Sequence, residues 1–377
     1  MPEFTDPAPS GVTTDVQKAG SWAILHGRAP FHAAHSAMQP ATEATRPLSQ
    51  QDELRTEITR LIGSARLKAM RAVRSRETYK DALIIYALLA APIAATLILH
   101  ARLGPIVTLA CAPLLAFVAG IAFNWINVQI HEASHNLLLP DKAKNDLYCD
   151  LVLGSLALQD VATYRATHGM HHSYLHSERD PDLWMYTRNV GSPRAVLLGI
   201  VEDLSLRSIM RRRRQVAEFM RAGPKGPRPG RYVPFVKLAA QLFVLAIFVW
   251  GAGLWGLVYY GAVYLYGLLG VFTALVRVRT VVQHYDARLL EHDQRSPTFF
   301  TSRTTVASLV QHVVLGARMD YHFEHHLFPN VPYYTLRELH AELERGGFFS
   351  ALAAKTGQGL RTTDFVQSFV SLATSRG

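Results

Sequence analysis

Long uncharged stretches constrain this chain more than any other feature. Leu83 to Leu99 carries no charge, and Ile106 to Ile126 carries only one amide, Asn124. A third stretch, Phe235 to Val276, has a single charge at Lys237 and is too long for one crossing; it breaks at Gly251-Ala252-Gly253. Each piece approaches the roughly 20 apolar residues that span about 30 Å of hydrocarbon. Core helices of a soluble protein would be shorter and amphipathic. With apolar residues at 49% and charged residues at 18% of 377, the expected fold is an all-α integral membrane protein with four transmembrane helices, at about 83–99, 106–126, 235–250 and 254–276. Pro92 and Pro113 are expected to kink the first two.

The formal charge of +10 is placed unevenly. Arg60, Arg66, Lys68, Arg71, Arg74, Arg76 and Lys80 precede the first span, Arg211 to Arg214 lie between the second and third, and Arg277 and Arg279 follow the fourth, whereas the short connections opposite carry only Arg102. The positive-inside rule then puts both termini and the long central segment in the cytoplasm. Anionic lipid headgroups suffice as partners for these residues, and no nucleic-acid-binding motif accompanies them. The first twenty residues lack the apolar core and basic start of a signal peptide, so the mature chain is expected to begin at or near Met1. Cys111 and Cys149 cannot build a disulfide framework, which is consistent with a reducing compartment.

Residues 1–50, rich in Pro, Ala, Ser and Thr, read as disordered, with His26, His32 and His35 as solvated side chains. A membrane domain is expected over 51–345 and a cytoplasmic tail over 346–377. At the start of that domain, Leu54, Ile58, Leu61, Ile62 and Ala65 recur with helical spacing among basic residues, the pattern of an amphipathic helix on a membrane surface.

The chemistry is concentrated in three histidine clusters: His131-Glu-Ala-Ser-His135, His168-Gly-Met-His171-His172 and His322-Phe-Glu-His325-His326. Residues three and four apart share a helix face, so each cluster aims two or three imidazoles at one place, as a metal site requires. Two crossings separate the central segment from the C-terminal one, so all three clusters return to the same membrane face. Eight imidazoles exceed what one ion uses; two ions are implied, and imidazole alone does not choose between Zn, Cu, Fe and Ni. Taken alone, His131-Glu-x-x-His135 also fits a zinc protease with Glu132 as general base, but that reading leaves both H-x-x-H-H clusters unexplained. A metal carrier would place its ligands at the bilayer midplane rather than beyond the helix ends.

In these boxes, their order and the paired spans, the chain from about Tyr79 to His340 resembles the integral-membrane fatty acid desaturase and hydroxylase superfamily. Tyr321-His-Phe-Glu-His-His-Leu-Phe-Pro329 is similar to that family's third box, and Asp180-Pro-Asp182 follows the second box as in many members. The resemblance implies a cytoplasmic helical cap holding a non-haem di-iron centre that uses O2 as co-substrate and two electrons to remove hydrogen from an unactivated alkyl chain. Its implied ligands are His131, His135, His168, His171, His172, His322, His325 and His326, with His284 as a ninth at the place where the family supplies a histidine after the fourth span. Gln283 departs from the glutamate often found beside it. Glu132, Asp180, Asp182, Asp286, Asp320 and Glu324 are candidates to accept hydrogen bonds from the ligands and offset charge; Glu132 is the one carried forward as a site residue. His176, His292, His312 and His340 break the box patterns.

The three-residue gap between His131 and His135 resembles enzymes acting on acyl-lipids, sphingolipids and carotenoids, and His322 stands where cytochrome-fused members have glutamine. An acyl-lipid desaturase is therefore the expected activity, with a hydroxylase or monooxygenase of the same superfamily, acting on a lipid, alkyl or isoprenoid chain, as the alternative. No cysteine cluster in this chain can hold an iron-sulfur centre, so an external electron donor such as ferredoxin with its reductase is expected, with Arg211 to Arg214 as a docking patch or a lipid contact. Tyr164, Trp184 and Tyr186 are read as interfacial anchors, with an entrance lining as the alternative.

Overall fold

The computed structural model describes residues 50–190, 192–222, 228–285, 302–306, 309–314, 319–356 and 363–364, all within one compact unit, Leu48–Gly377. The 1–49 segment with its three histidines, Asp286 and His292 lie outside the described residues. Among the described residues, three helical stretches are long and apolar enough to cross a membrane: Ser64–Ser134, Val233–Ala252 and Trp255–His284.

Within the first stretch, the helix Ser75–Ser134 is broken at Gly104, whose φ of 79° no side-chain-bearing residue adopts cheaply, directly before Pro105. The chain reverses there. Thr78 Oγ1 donates to the Leu138 carbonyl at 2.8 Å and Gln129 Nε2 to Asp81 Oδ2 at 3.2 Å, so the two arms return side by side. A second reversal at Gly253, φ 57°, joins Val233–Ala252 to the helical run that starts at Trp255. This run passes through π-helical turns at Tyr260–Leu265 and Gly267–Val271 before ending as Phe272–His284.

The two hairpins meet along small residues. A Cβ at Gly120 would come within 2.4 Å of Val271, and one at Gly267 within 2.8 Å of Ala119; such close backbone approach is how helices associate where no hydrophobic effect drives them together. Around them Ala122, Phe123, Ile126, Tyr264, Leu268 and Phe272 form the core. The outer faces are apolar and bare, with Leu83, Ile106, Trp250 and Leu254 more than 70% exposed, a surface suited to lipid.

Two expectations are corrected. The membrane helices do not stop short of the boxes: the second arm continues to Ser134 and thus carries His131, and the last run continues to His284. The helix Gln50–Ile62 does not offer its whole apolar stripe to a membrane: Leu61 and, just beyond the helix, Ala65 are exposed, but the rest of the stripe turns inward. Leu54 and Ile58 are buried against Phe323, Leu327, Leu336 and Leu339, and Arg55 Nε donates to the Leu327 carbonyl at 2.6 Å. Phe348 and Leu352, from the helix Phe348–Thr356 within the expected tail, join the same cluster.

Candidate metal centre

Four helices deliver the histidines. His131 sits in the last turn of Ser75–Ser134 and His135 caps it. The helix Val161–Tyr174, started by Asp160 accepting from the Thr163 amide at 2.8 Å, carries His168, His171 and His172. His284 ends Phe272–His284, and the short helix His322–Leu327 carries the third box.

The nine side chains gather into two adjacent groups. One holds His131, His135, His168, His172 and His325; the other holds His171, His284, His322 and His326. Helical geometry explains this sorting. In each H-x-x-H-H box the first and last histidines, four apart, point together, while the middle one lies about 100° round the helix from the last and points elsewhere. His168 and His172 therefore join one group and His171 the other; His322 and His326 join the second and His325 the first. Both H-x-x-H-H boxes thus straddle the two groups, while His131 and His135 of the first box lie in the same one.

The donor atoms have the spacing of a coordination shell. Nε2 to Nε2 separations are 2.9 Å for His131–His325, 3.0 Å for His168–His172 and His172–His325, 2.8 Å for His284–His322 and 3.2 Å for His322–His326. Adjacent ligands at right angles on metal–imidazole bonds of about 2.0–2.1 Å stand about 2.9 Å apart. The tautomers agree: His131 Nδ1 lies 3.0 Å from Glu132 Oε1 and His171 Nδ1 lies 3.0 and 3.1 Å from the Asp180 oxygens. With Nδ1–H donating to a carboxylate, each Nε2 turns a bare lone pair into the cluster. Such convergence without a cation between the lone pairs is repulsive, so this donor set fits metal ions.

Burial keeps most of the imidazoles neutral, the form that binds metal. Burial, with Arg165 nearby, pushes His135 down to about 4. Burial and neighbouring imidazoles hold His168, His172, His322, His325 and His326 well below the usual histidine range. His171 moves the other way: burial would lower it, but Asp180 outweighs burial and raises it.

Of the carboxylates singled out from sequence, Glu132 touches His131 and accepts the Tyr333 amide at 3.1 Å. Asp180 holds His171 and accepts from the Tyr186 hydroxyl and the Asp182 amide. Glu324 points away from the histidines, to Thr304 and His340 Nδ1. Asp320 lies 3.6 Å from His312. Gln283 donates to the Met319 carbonyl at 2.7 Å. Tyr186 is fully buried on Asp180, which corrects its reading as an interfacial anchor, while Tyr164 and Trp184 line a cavity of about 90 Å³ beside the histidines.

Sequence reasoning missed Arg165. Its guanidinium donates to the carbonyls of Ser134 and Ala133 at 2.8 and 2.9 Å, to Asn136 Oδ1 at 3.1 Å, and to both oxygens of Asp146 at 2.6 and 2.7 Å. It thereby closes the helix end that bears His131 and His135. Its position one turn before His168 was the available signal. The arginine run divides: Arg211 pairs with Glu202 and lies over Trp184, Arg212 lines the cavity, and Arg213 and Arg214 are exposed.

A family model described as "Fatty acid desaturase" matches residues 103–349, which include all nine histidines. No curated protein matches the chain.

Proposed function

The chain belongs to the fatty acid desaturase family, a family of lipid-oxidising enzymes, and from that premise we propose that it is an O2-dependent acyl-lipid desaturase with two iron ions. The observation that carries this reading is the division of nine imidazoles into groups of five and four whose lone pairs converge. Two irons held there would supply O2 activation and hydrogen removal from an alkyl chain. His131, His135, His168, His172 and His325 would hold one, and His171, His284, His322 and His326 the other. Glu132 and Asp180 keep His131 and His171 oriented and partly offset the metal charge. Buried helices around the centre exclude water. The two arms about Gly104 and the two helices about Gly253 each cross the bilayer once, giving four spans with both termini and the histidines on the cytoplasmic side. The two electrons per turnover come from an external carrier such as ferredoxin with its reductase.

Hydroxylation of a lipid, alkyl or isoprenoid chain begins with the same hydrogen removal. Mass spectrometry of lipids from an expression host of known composition separates the two, because one product loses two hydrogens and the other gains an oxygen. Protein from iron-rich medium should approach two irons per chain. A reproducible single zinc would refute the di-iron reading and return attention to a zinc protease built on His131-Glu-x-x-His135.

A further inference from the structure

The cavity beside the histidines has a charge that its own walls do not balance. Its lining includes His131, His171, His284 and His322, and also Arg279, Arg212 and Asp182. Arg279 is only 8% exposed. Its guanidinium donates to Asn124 Oδ1 at 3.1 Å and Asn127 Oδ1 at 3.0 Å. Both acceptors are neutral amides, and two of five N–H groups are thereby used.

Arg277, two residues earlier on the same helix, is an internal comparison. It is buried as well, at 1% exposed, but Asp203 meets it with bonds of 2.5 and 3.0 Å. The fold therefore bonds the arginine that faces away from the cavity to a carboxylate, and the one that faces into it to amide oxygens alone. A guanidinium removed from water without an anion is costly, and an ionisable group in a membrane-crossing helix marks a ligand site by default. The cavity's one described carboxylate, Asp182, is shared by two guanidiniums, so the lining holds more positive than negative side chains.

We propose that Arg279, assisted by Arg212, is the substrate-recognition point of this cavity, and that the substrate is an anionic amphiphile with a carboxylate or phosphate close to the carbon that is oxidised. The proposal rests on the reading of this cavity as the substrate site of a lipid oxidase. The Asn124 and Asn127 carbonyls hold the planar fork in place, so its free N–H groups present a ready oxyanion seat. Proximity follows from the chain: Asn127 lies one helical turn before His131, and Arg279 five residues before His284. A seated headgroup places the first carbons of its chain at the histidines.

Binding to the purified iron-free protein in neutral detergent tests this without turnover. The probes are decanoate, decyl phosphate and decanol, which share a chain and differ in headgroup. The oxyanions should bind at least roughly tenfold tighter than decanol, and Arg279→Met should remove roughly 10- to 100-fold of that preference while leaving decanol unchanged. Arg279→Lys should fall between, and Arg212→Gln should cost less. Preference for decanoate identifies a free fatty acid, which would replace the esterified acyl-lipid of the proposed function, and preference for decyl phosphate a phosphate ester. Equal binding of decanol and both oxyanions by the wild-type protein would overturn the proposal, as would a preference unchanged in a folded Arg279→Met. Should that variant not fold, the wild-type headgroup series and Arg212→Gln decide. Because no iron or turnover is involved, a protein that binds oxyanions but oxidises no lipid would sink the desaturase reading alone.

Discussion

Replacing Arg165 by Met should strip metal from one histidine group and spare the other. The side chain closes the end of the helix that carries His131 and His135, through carbonyl bonds of 2.8 and 2.9 Å and a paired contact with Asp146. Charge-assisted bonds of this kind contribute roughly 1.5 kcal/mol each. The Asp146 pair, whose carboxylate is 30% exposed, adds about 0.5 kcal/mol once solvent screening is allowed for. Together about 3.5 kcal/mol of local order is lost, and Met replaces the aliphatic stem without the fork. Each 1.4 kcal/mol is about tenfold in binding, so even if only most of this loss reaches the turn bearing His135, metal at the group with five histidines weakens on the order of 100-fold. The group with four histidines takes no ligand from that turn and keeps its affinity. The assay is metal content after dialysis against graded chelator. Wild type should release metal in one late step, and Arg165→Met in two steps of about equal amplitude, one of them early. Arg165→Lys, which keeps the charge but cannot span both carbonyls and Asp146, should lie between. Equal retention at both groups would refute the reasoning, and so would parallel loss from both.

His322→Ala and His325→Ala should each lose metal and activity, His322 from the group with four histidines and His325 from the group with five; if both variants keep full metal and full activity, the desaturase assignment is to be abandoned. Glu132→Gln should weaken metal binding by roughly 10- to 100-fold, because it loosens His131 and Tyr333 together; abolished turnover with zinc fully retained would instead indicate a protease base. Acid should loosen the Arg165 contact. Burial would raise the Asp146 carboxyl, but bonds from Arg165 and Asn145 hold it below its ordinary value; a depressed folded value means stability present above the unfolded carboxylate range and lost as pH falls through the folded one. The thermal stability of the metal-free protein should therefore fall at strongly acidic pH, and Arg165→Met, which has already lost the contact, should show a smaller fall. Turnover with a purified acidic donor should fall as salt rises if Arg213 and Arg214 dock it, whereas a rate indifferent to ionic strength, or unchanged in a double Arg213→Gln and Arg214→Gln variant, would exclude electrostatic docking.

Local spacing was enough to mark the eight box histidines, because residues three and four apart on a helix must share a face whatever surrounds them. The same locality made the apolar runs legible, and with them the reversal at Gly253, since a glycine-bounded gap in an over-long run is a sequence feature. The distribution of the histidines between two groups was not readable, although it follows from the same periodicity. It requires knowing that three separate helices and the end of a fourth face one another, which is decided by how Gly120 and Gly267 let the hairpins close. Carboxylates show the limit most clearly. Asp180 and Glu324 look alike in sequence, each near a box, but packing turns one toward His171 and the other toward His340. Arg277 and Arg279 stand two residues apart, and only the tertiary structure gives one an aspartate and the other a cavity. Helix periodicity sets the direction in which a side chain leaves its own backbone; what it meets there belongs to residues as much as 74 or 155 positions away, and no local rule reaches that far.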